Sequence, residues 1–150
     1  MSTGQVKVSF NLNQDEGHGY DTETVWAEAL GEGFFRILNS PFFALGISQE
    51  DIVRASGDGE LYHFQQVVQR GGHSTYRLFL QRGLTVHEDA FKQRWRELAA
   101  LYCTFENPND RLAVVDVPPH SEWHKFTACR SVVKPMEFGY LRRCNTRDPG

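Results

Sequence analysis

Val6-Lys7-Val8-Ser9-Phe10-Asn11-Leu12 alternates apolar and polar side chains along its whole length. Successive side chains of a β-strand point to opposite faces, so this period of two predicts a half-buried strand. Thr24–Leu30 and Phe34–Leu38 flank the short connection Gly31-Glu32-Gly33, which is typical of a β-hairpin. The chain therefore begins as an antiparallel sheet.

Short strands continue as far as residue 69. Asp51–Ala55 and Leu61–Gln69 flank the turn signal Ser56-Gly57-Asp58-Gly59, and we expect them to pair. Between the hairpin and this pair, Pro41-Phe42-Phe43 predicts a buried corner. Strands of this length and spacing predict a curled antiparallel sheet or SH3-like small barrel in residues 1–70.

The next part of the chain, residues 71–141, follows a different pattern. A strand over Thr75–Leu80 precedes a helix, for which Thr85 and Glu88 have the spacing of a capping box. Four large side chains recur at helical spacing and predict one buried stripe: Phe91, Trp95, Leu98 and Tyr102. Leu112–Val117 is a further buried strand, and it pairs with Cys103–Glu106 across a turn.

A second helix is expected from Ser121 to Lys134, followed by a tail over residues 142–150. The order β-α-β-β-α from residue 74 to 134 is that of a ferredoxin-like layer. The predicted fold class is therefore α+β, with the N-terminal sheet or barrel packed against that layer. Residues 1–150 are expected to form a single compact domain, because a chain of this length buries a core of ordinary size.

Charge is distributed unevenly along the chain. Residues 1–60 contain ten acidic and three basic residues, a balance of −7, whereas residues 61–119 total +1 and residues 120–150 total +3. This asymmetry predicts an acidic pole that repels nucleic acid and attracts basic surfaces. A solvated acidic face that keeps the protein soluble is an equally good interpretation.

The remaining composition favours a protein without cofactors. Three cysteines without CxxC spacing indicate free thiols, and the polar first residues with no long apolar run predict a cytoplasmic location without membrane contact. His120 and His124 have helical spacing for a metal, but Ser121 stands where the zincin helix needs its Glu, so no metal site is predicted.

No catalytic motif occurs, and we therefore predict that the chain is not an enzyme. Gly71-Gly72-His73-Ser74-Thr75 lacks the Lys of a phosphate-binding loop and leads into a strand. An alternative hypothesis is a small-ligand sensor or enzyme, with a pocket at His73 and Arg77 and with Glu28 nearby. A second alternative is nucleic-acid binding, although the overall negative charge disfavours it. The residues expected to bind are basic side chains near the C-terminus: Lys125, Arg130, Lys134, Arg142 and Arg143.

Four segments are distinctive in combination: Val25-Trp26-Ala27-Glu28, Asn39-Ser40-Pro41-Phe42-Phe43-Ala44-Leu45-Gly46-Ile47-Ser48, Asp51-Ile52-Val53-Arg54-Ala55 and Gly72-His73-Ser74-Thr75-Tyr76-Arg77. Together they resemble a family of short bacterial proteins that carries only a domain-of-unknown-function label. The resemblance implies a bacterial cytoplasmic protein, and it implies no activity or site residue.

The functional hypothesis is a protein-binding module, most concretely a bacterial immunity protein or antitoxin that masks the active site of a cognate toxin. Its basis is small size, the absence of a catalytic motif and the acidic pole, which complements a basic toxin or effector domain. The expected partner-binding residues are acidic side chains with two aromatic anchors: Asp15, Glu16, Tyr20, Asp21, Glu23, Trp26, Glu28 and Glu32.

Overall fold

The computed structural model of the chain describes residues 4–13, 19–80, 83–121, 134–136 and 139–143. They belong to two compact units, one within Met1–His73 and the other within Ser74–Thr146. The compactness of each unit does not test whether the two fold separately, so the single domain stays a prediction.

The first unit is a closed five-stranded barrel. Its strands are β1 Gln5–Asn11, β2 Thr22–Gly31, β3 Phe34–Ile37, β4 Ile52–Gly57 and β5 Leu61–Gln69. Consecutive strands pair antiparallel, and β1 also pairs in parallel with β5, which closes the barrel. The connection between β2 and β3 has positive φ at Gly31, Glu32 and Gly33, a backbone that glycine adopts at low cost.

Alternation of side chains builds the barrel core. Val8 and Phe10 of β1 and Val25 and Ala27 of β2 are buried, while Trp26, between the two on β2, faces outward. Phe10 packs against Phe64 of β5, with ring centroids 4.8 Å apart. Burial of these side chains removes apolar surface from water, which is the main favourable contribution to folding.

The second unit contains an antiparallel sheet and one helix in the part that the structure describes. Its elements are β6 Ser74–Leu80, α1 Asp89–Ala99, β7 Thr104–Asn109, β8 Leu112–Val117, β9 Lys134–Met136 and β10 Gly139–Arg143. The strand order is β7-β8-β6-β10-β9. Tyr76 and Leu78 of β6 and Val115 of β8 form one core cluster with Phe91 of α1, so the helix packs against this face of the sheet.

The helix differs from its predicted form at both ends. Glu88 is the N-cap residue and makes no side-chain capping hydrogen bond, so the predicted capping box is wrong. Phe91 is buried, and Trp95 and Leu98 pack against the same core. Tyr102 lies beyond the helix with φ of 65° and is 81% exposed, because the chain leaves the helical path before it.

The predicted fold class, α+β with a ferredoxin-like layer, is wrong. Strand is the main secondary structure, α1 is the one helix among the described residues, and every strand pair except the parallel β1–β5 pair is antiparallel. In the second unit β6 pairs directly with β8 and with β10, whose residues include Arg142 and Arg143, which were assigned to a tail. Lys134, the predicted last residue of the second helix, begins β9, and residues 122–133 lie outside the described part.

The misassigned C-terminal strands have a physical explanation. The segment Gly139-Tyr140-Leu141-Arg142-Arg143 has little alternation of its own, and hydrogen bonding to the edge of β6 stabilises it as a strand. Strand formation there depends on a partner about sixty residues away in the chain. No helix in the described residues combines the length and apolar character needed to span a membrane.

Candidate functional site

An open cleft of about 630 Å³ lies on the outer surface of the barrel. Its lining residues come from the start of β1, the outer face of β2 and the turn before β5: Gln5, Val6, Lys7, Thr24, Trp26, Gly59, Glu60 and Leu61. Lys7 connects the two sides of the cleft, because it lies opposite Trp26 in the pairing with β2 and opposite Leu61 in the pairing with β5. Closure of the barrel therefore assembles the cleft from distant segments.

Trp26 is the largest side chain of the cleft and is 47% exposed. Its neighbours Val25 and Ala27 point into the core, so the indole faces outward. The backbone N–H of Trp26 donates to Asn39 Oδ1 at 2.8 Å, which holds the strand at this position. The ammonium of Lys7 lies 5.1 Å from the centroid of the indole, within the range of a cation–π interaction.

The opposite rim of the cleft is an acidic turn. The carboxylate of Asp58 accepts the backbone N–H groups of Glu60 at 3.1 Å and of Leu61 at 3.2 Å. These hydrogen bonds lower the pKa of Asp58 below its usual value, so it stays ionised at neutral pH. The carbonyl of Glu60 accepts the N–H of Lys7 at 3.4 Å, which joins the turn to β1. The Glu60 side chain is exposed.

The predicted partner-binding residues have different environments. Asp15 and Glu16 lie outside the described residues. Asp21 and Glu32 are exposed. Tyr20 is 64% exposed, and its ring stacks on that of Phe43 with centroids 5.5 Å apart. Among the described members of the predicted set, Trp26 is the residue that lines the cleft.

Glu23 holds a loop of its own chain. Its carboxylate accepts the backbone N–H groups of three consecutive residues, Phe42, Phe43 and Ala44. Two of these bonds measure 2.9 Å and 2.8 Å, from Phe43 and Ala44 respectively. Charge-assisted bonds of this length are strong, so Glu23 fixes the corner that follows Pro41. This structural role competes with the predicted role in partner binding.

Replacement of Glu23 tests this structural role. Glu23→Ala removes the acceptor for three backbone donors, and we expect it to lower the free energy of unfolding by about 2 kcal/mol. Equilibrium unfolding in urea measures the change. Asp21→Ala is the matched control, since Asp21 is exposed and two residues away. Equal stability of the two variants would contradict the structural role of Glu23.

Glu28 is partly neutralised by a base. Its Oε2 lies 3.0 Å from a terminal nitrogen of Arg36, and Arg36 Nε lies 3.7 Å from Glu50 Oε2. These side chains are between 29% and 41% exposed. Exposed pairs of this kind contribute little to stability, but they reduce the net negative charge that Glu28 offers to a partner.

The predicted pocket at His73 and Arg77 does not coincide with the cleft. His73 ends the first unit and is half-buried. Arg77 lies in the middle of β6, between β8 and β10, and is only 4% exposed. Neither residue lines the cleft on the barrel. The pocket therefore stays a prediction that the geometry of the cleft does not support.

The described titratable groups of the second unit show no nucleophilic arrangement. Burial and the nearby negative charge of Asp116 raise the pKa of the Cys103 thiol, while a hydrogen bond to Ser121 opposes the shift. A protonated thiol is a poor nucleophile, so Cys103 serves as a core residue. Partial burial and Asp116 also raise the pKa of Glu106.

The described residues contain no group of three or more His, Cys, Asp or Glu side chains able to hold a metal ion. His120 is exposed in a loop, and His124 lies outside the described residues. Of the predicted nucleic-acid set, Lys125 and Arg130 also lie outside them. The other three are strand residues: Lys134 in β9 and Arg142 and Arg143 in β10.

Sequence reasoning missed most of the cleft. Lys7, Thr24 and Glu60 were not among the predicted site residues, although alternation along β1 and β2 places Lys7 and Thr24 on the outer face. The missing information was the register, which sets Lys7 opposite Trp26 and Leu61. Register depends on turn geometry and on the burial of one face of each strand, which one strand alone does not specify.

Comparison with known proteins gives a family and a fold. A family model described as "Domain of unknown function (DUF4265)" matches residues 23–129. The solved structure of a hypothetical protein from Neisseria gonorrhoeae is similar with a TM-score of 0.65 and 15% sequence identity, over 85% of this chain and 86% of that chain. Likeness at this identity shows the fold alone. No curated protein matches the chain.

These matches confirm the resemblance to a domain-of-unknown-function family. The family match runs from residue 23 to residue 129, beyond the last of the four segments, which ends at Arg77. The four motifs, the bacterial origin and the absence of enzymatic activity stay predictions.

Proposed function

Because this chain belongs to the family described as a domain of unknown function (DUF4265), which assigns no chemistry, we propose a function from its surface. The protein is a binding module that masks a basic surface of another protein. In its most concrete form it is an immunity protein or antitoxin that covers the active site of a cognate toxin. The contact surface is the outer face of β1 and β2, centred on Trp26.

The observation that carries the proposal is the exposed indole of Trp26 at the edge of an open cleft. Tryptophan, tyrosine and arginine are enriched among the few residues that dominate the binding energy of protein interfaces. A tryptophan on the outer face of a barrel strand adds nothing to the barrel core. Its position in the lining of an open cleft makes it a suitable anchor for a protein partner.

The charge of the first unit supports a basic partner. Residues 1–60 have a balance of −7, and the exposed acids include Asp21, Glu32, Asp58 and Glu60. An acidic surface steers a basic partner toward the correct face and suppresses acidic ones. Glu28 is paired with Arg36, and Glu23 binds the loop after Pro41. Both therefore contribute less to the acidic surface than a count of acids along the sequence indicates.

The first experiment compares the wild-type protein with Trp26→Ala in affinity capture from its native cytoplasm. We expect a stoichiometric basic partner with the wild type, and an affinity at least about 30-fold lower for the purified partner with the variant, as for an interface hot spot. Isothermal titration with the purified partner measures the affinity. Val68→Ala is the matched control, since Val68 is 40% exposed on β5 away from the cleft.

Neutralisation decides whether the binding module is an immunity protein. The captured partner is expressed alone and together with the wild type or Trp26→Ala, and growth of the host is followed. We expect the partner alone to arrest growth and the wild type to restore it, with much weaker rescue by the variant. Recovery of the protein with a small molecule and without a protein partner would contradict masking and favour the ligand-sensor alternative.

A further inference from the structure

We infer that the cleft takes an arginine side chain of a basic protein partner, with the guanidinium stacked on Trp26 and facing Glu60, and that Lys7 occupies this place in the free protein. The inference rests on the proposed function, since it names the group that a masked partner inserts. It assigns separate roles to three residues. Trp26 is the platform, Glu60 is the counter-charge, and Lys7 is a competitor.

The platform already carries a cation. The Lys7 ammonium lies 5.1 Å from the indole centroid, so the face of Trp26 has the electrostatic environment that attracts positive charge. The lysine stem is flexible and its ammonium is strongly hydrated, so the pair is exchangeable. An arginine guanidinium is planar and more weakly hydrated, and it stacks on an aromatic ring better than an ammonium does. A partner arginine is therefore a suitable replacement for the internal lysine.

The same barrel contains an example of this geometry. The guanidinium carbon of Arg54 lies 4.8 Å from the ring centroid of Phe34 on a neighbouring outer face. Stacking of a guanidinium on a partly exposed aromatic ring is thus compatible with the outer surface of these strands. Trp26 provides a larger ring, and indole is the strongest of the aromatic platforms for a cation.

The rim supplies negative charge on the side opposite β2. Glu60 lines the cleft and makes no ion pair with any described residue, and Asp58 holds the turn that presents it. Among the lining residues that the structure describes, Lys7 is the one basic residue and Glu60 the one acidic residue. Glu60 is therefore available to a cation that replaces Lys7 on the indole. The cleft is about 630 Å³ in volume, which is ample for an arginine side chain.

The test uses two short probes and needs no identified partner. The peptide acetyl-Gly-Arg-Gly-amide and its counterpart with citrulline, the neutral isostere of arginine, are titrated into the full-length protein. The indole N–H signals are followed by NMR. The chain contains three tryptophans, and the signal of Trp26 is the one that disappears in Trp26→Phe. We expect a saturable shift of this signal with the arginine peptide and none with the citrulline peptide.

Two variants separate the roles of the charged residues. Lys7→Met removes the competitor and keeps the length of the side chain, so we expect the arginine peptide to bind about fivefold more tightly. Glu60→Gln removes the counter-charge and should weaken binding by about the same factor, whereas Glu32→Gln, outside the cleft, should leave it unchanged. Far-UV circular dichroism verifies that each variant is folded.

The outcomes distinguish this inference from the proposed function. Equal shifts with the citrulline peptide, no saturable shift with either peptide, or weaker binding by Lys7→Met would each overturn the arginine site. A protein partner captured through Trp26 would still support masking in those cases. Conversely, an arginine-specific shift without any captured partner would retain the site and reject masking.

Discussion

Asp51→Ala is expected to lower the free energy of unfolding by about 4 kcal/mol. Asp51 is fully buried, and its carboxylate accepts the N–H of Ser48 at 2.9 Å and that of Gly71 at 2.9 Å. It also forms an ion pair with Arg70, whose terminal nitrogen lies 3.0 Å from Oδ2. The substitution removes the carboxylate that accepts from all three donors, and the Ser48 donor is fully buried. Urea unfolding followed by tryptophan fluorescence measures the loss.

Two further variants keep this expectation testable if Asp51→Ala is too unstable to purify. Asp51→Asn retains the shape and one acceptor oxygen but loses the charge opposite Arg70, so its unfolding midpoint should fall between those of the wild type and Asp51→Ala. Asp21→Ala replaces an exposed carboxylate of the same barrel and should change the midpoint little. Wild-type stability of Asp51→Asn and Asp51→Ala would show that the buried carboxylate contributes nothing.

Gly57→Ala should destabilise the barrel by about 3 kcal/mol because the β4–β5 hairpin has no room for a methyl group. A Cβ atom at residue 57 would lie 2.0 Å from the carbonyl oxygen of Leu61 and 2.8 Å from Cα of Tyr62. Both are backbone atoms, and Gly57 pairs with Tyr62 in the sheet. Relief of the clash therefore requires the strands to separate at this end. The midpoint of thermal unfolding measures the effect.

Gly4→Ala is the matched control for Gly57→Ala. A Cβ atom at residue 4 would meet no atom within 4 Å, so the variant should unfold within about 0.5 kcal/mol of the wild type. The same turn supplies Glu60 to the cleft, and Gly57→Ala should also weaken binding of the arginine peptide. An unchanged melting temperature for Gly57→Ala would mean that the hairpin relaxes without cost, contrary to its backbone contacts.

Local patterns located several elements with good accuracy. Leu61–Gln69 and Leu112–Val117 were assigned as strands with the bounds that the structure has. The hairpin around Gly31-Glu32-Gly33 was also identified. These segments share a strong signal, either alternation or a short apolar run bounded by turn residues, and the burial of one or both faces follows directly from it.

Local patterns failed where the state of a segment depends on distant contacts. Residues 139–143 are a strand because they pair antiparallel with β6, and this contact places strand residues at Arg142 and Arg143, where the local pattern predicts a tail. Tyr102 was placed on the helix by spacing alone, whereas the chain turns away before it. Side-chain spacing predicts a shared face only for residues within the helix, and α1 ends at Ala99.

The candidate site shows the same division. Composition along the chain was sufficient to identify an acidic N-terminal half and Trp26 as a candidate anchor, because charge and residue type are local properties. Tertiary contacts then determined which acids are available: Glu23 is bound by the loop after Pro41, and Glu28 is paired with Arg36. Lys7, Trp26 and Glu60 meet because closure of the barrel sets β1 beside both β2 and β5. Strand register arises from the packing of all five strands together, and no single segment contains that information.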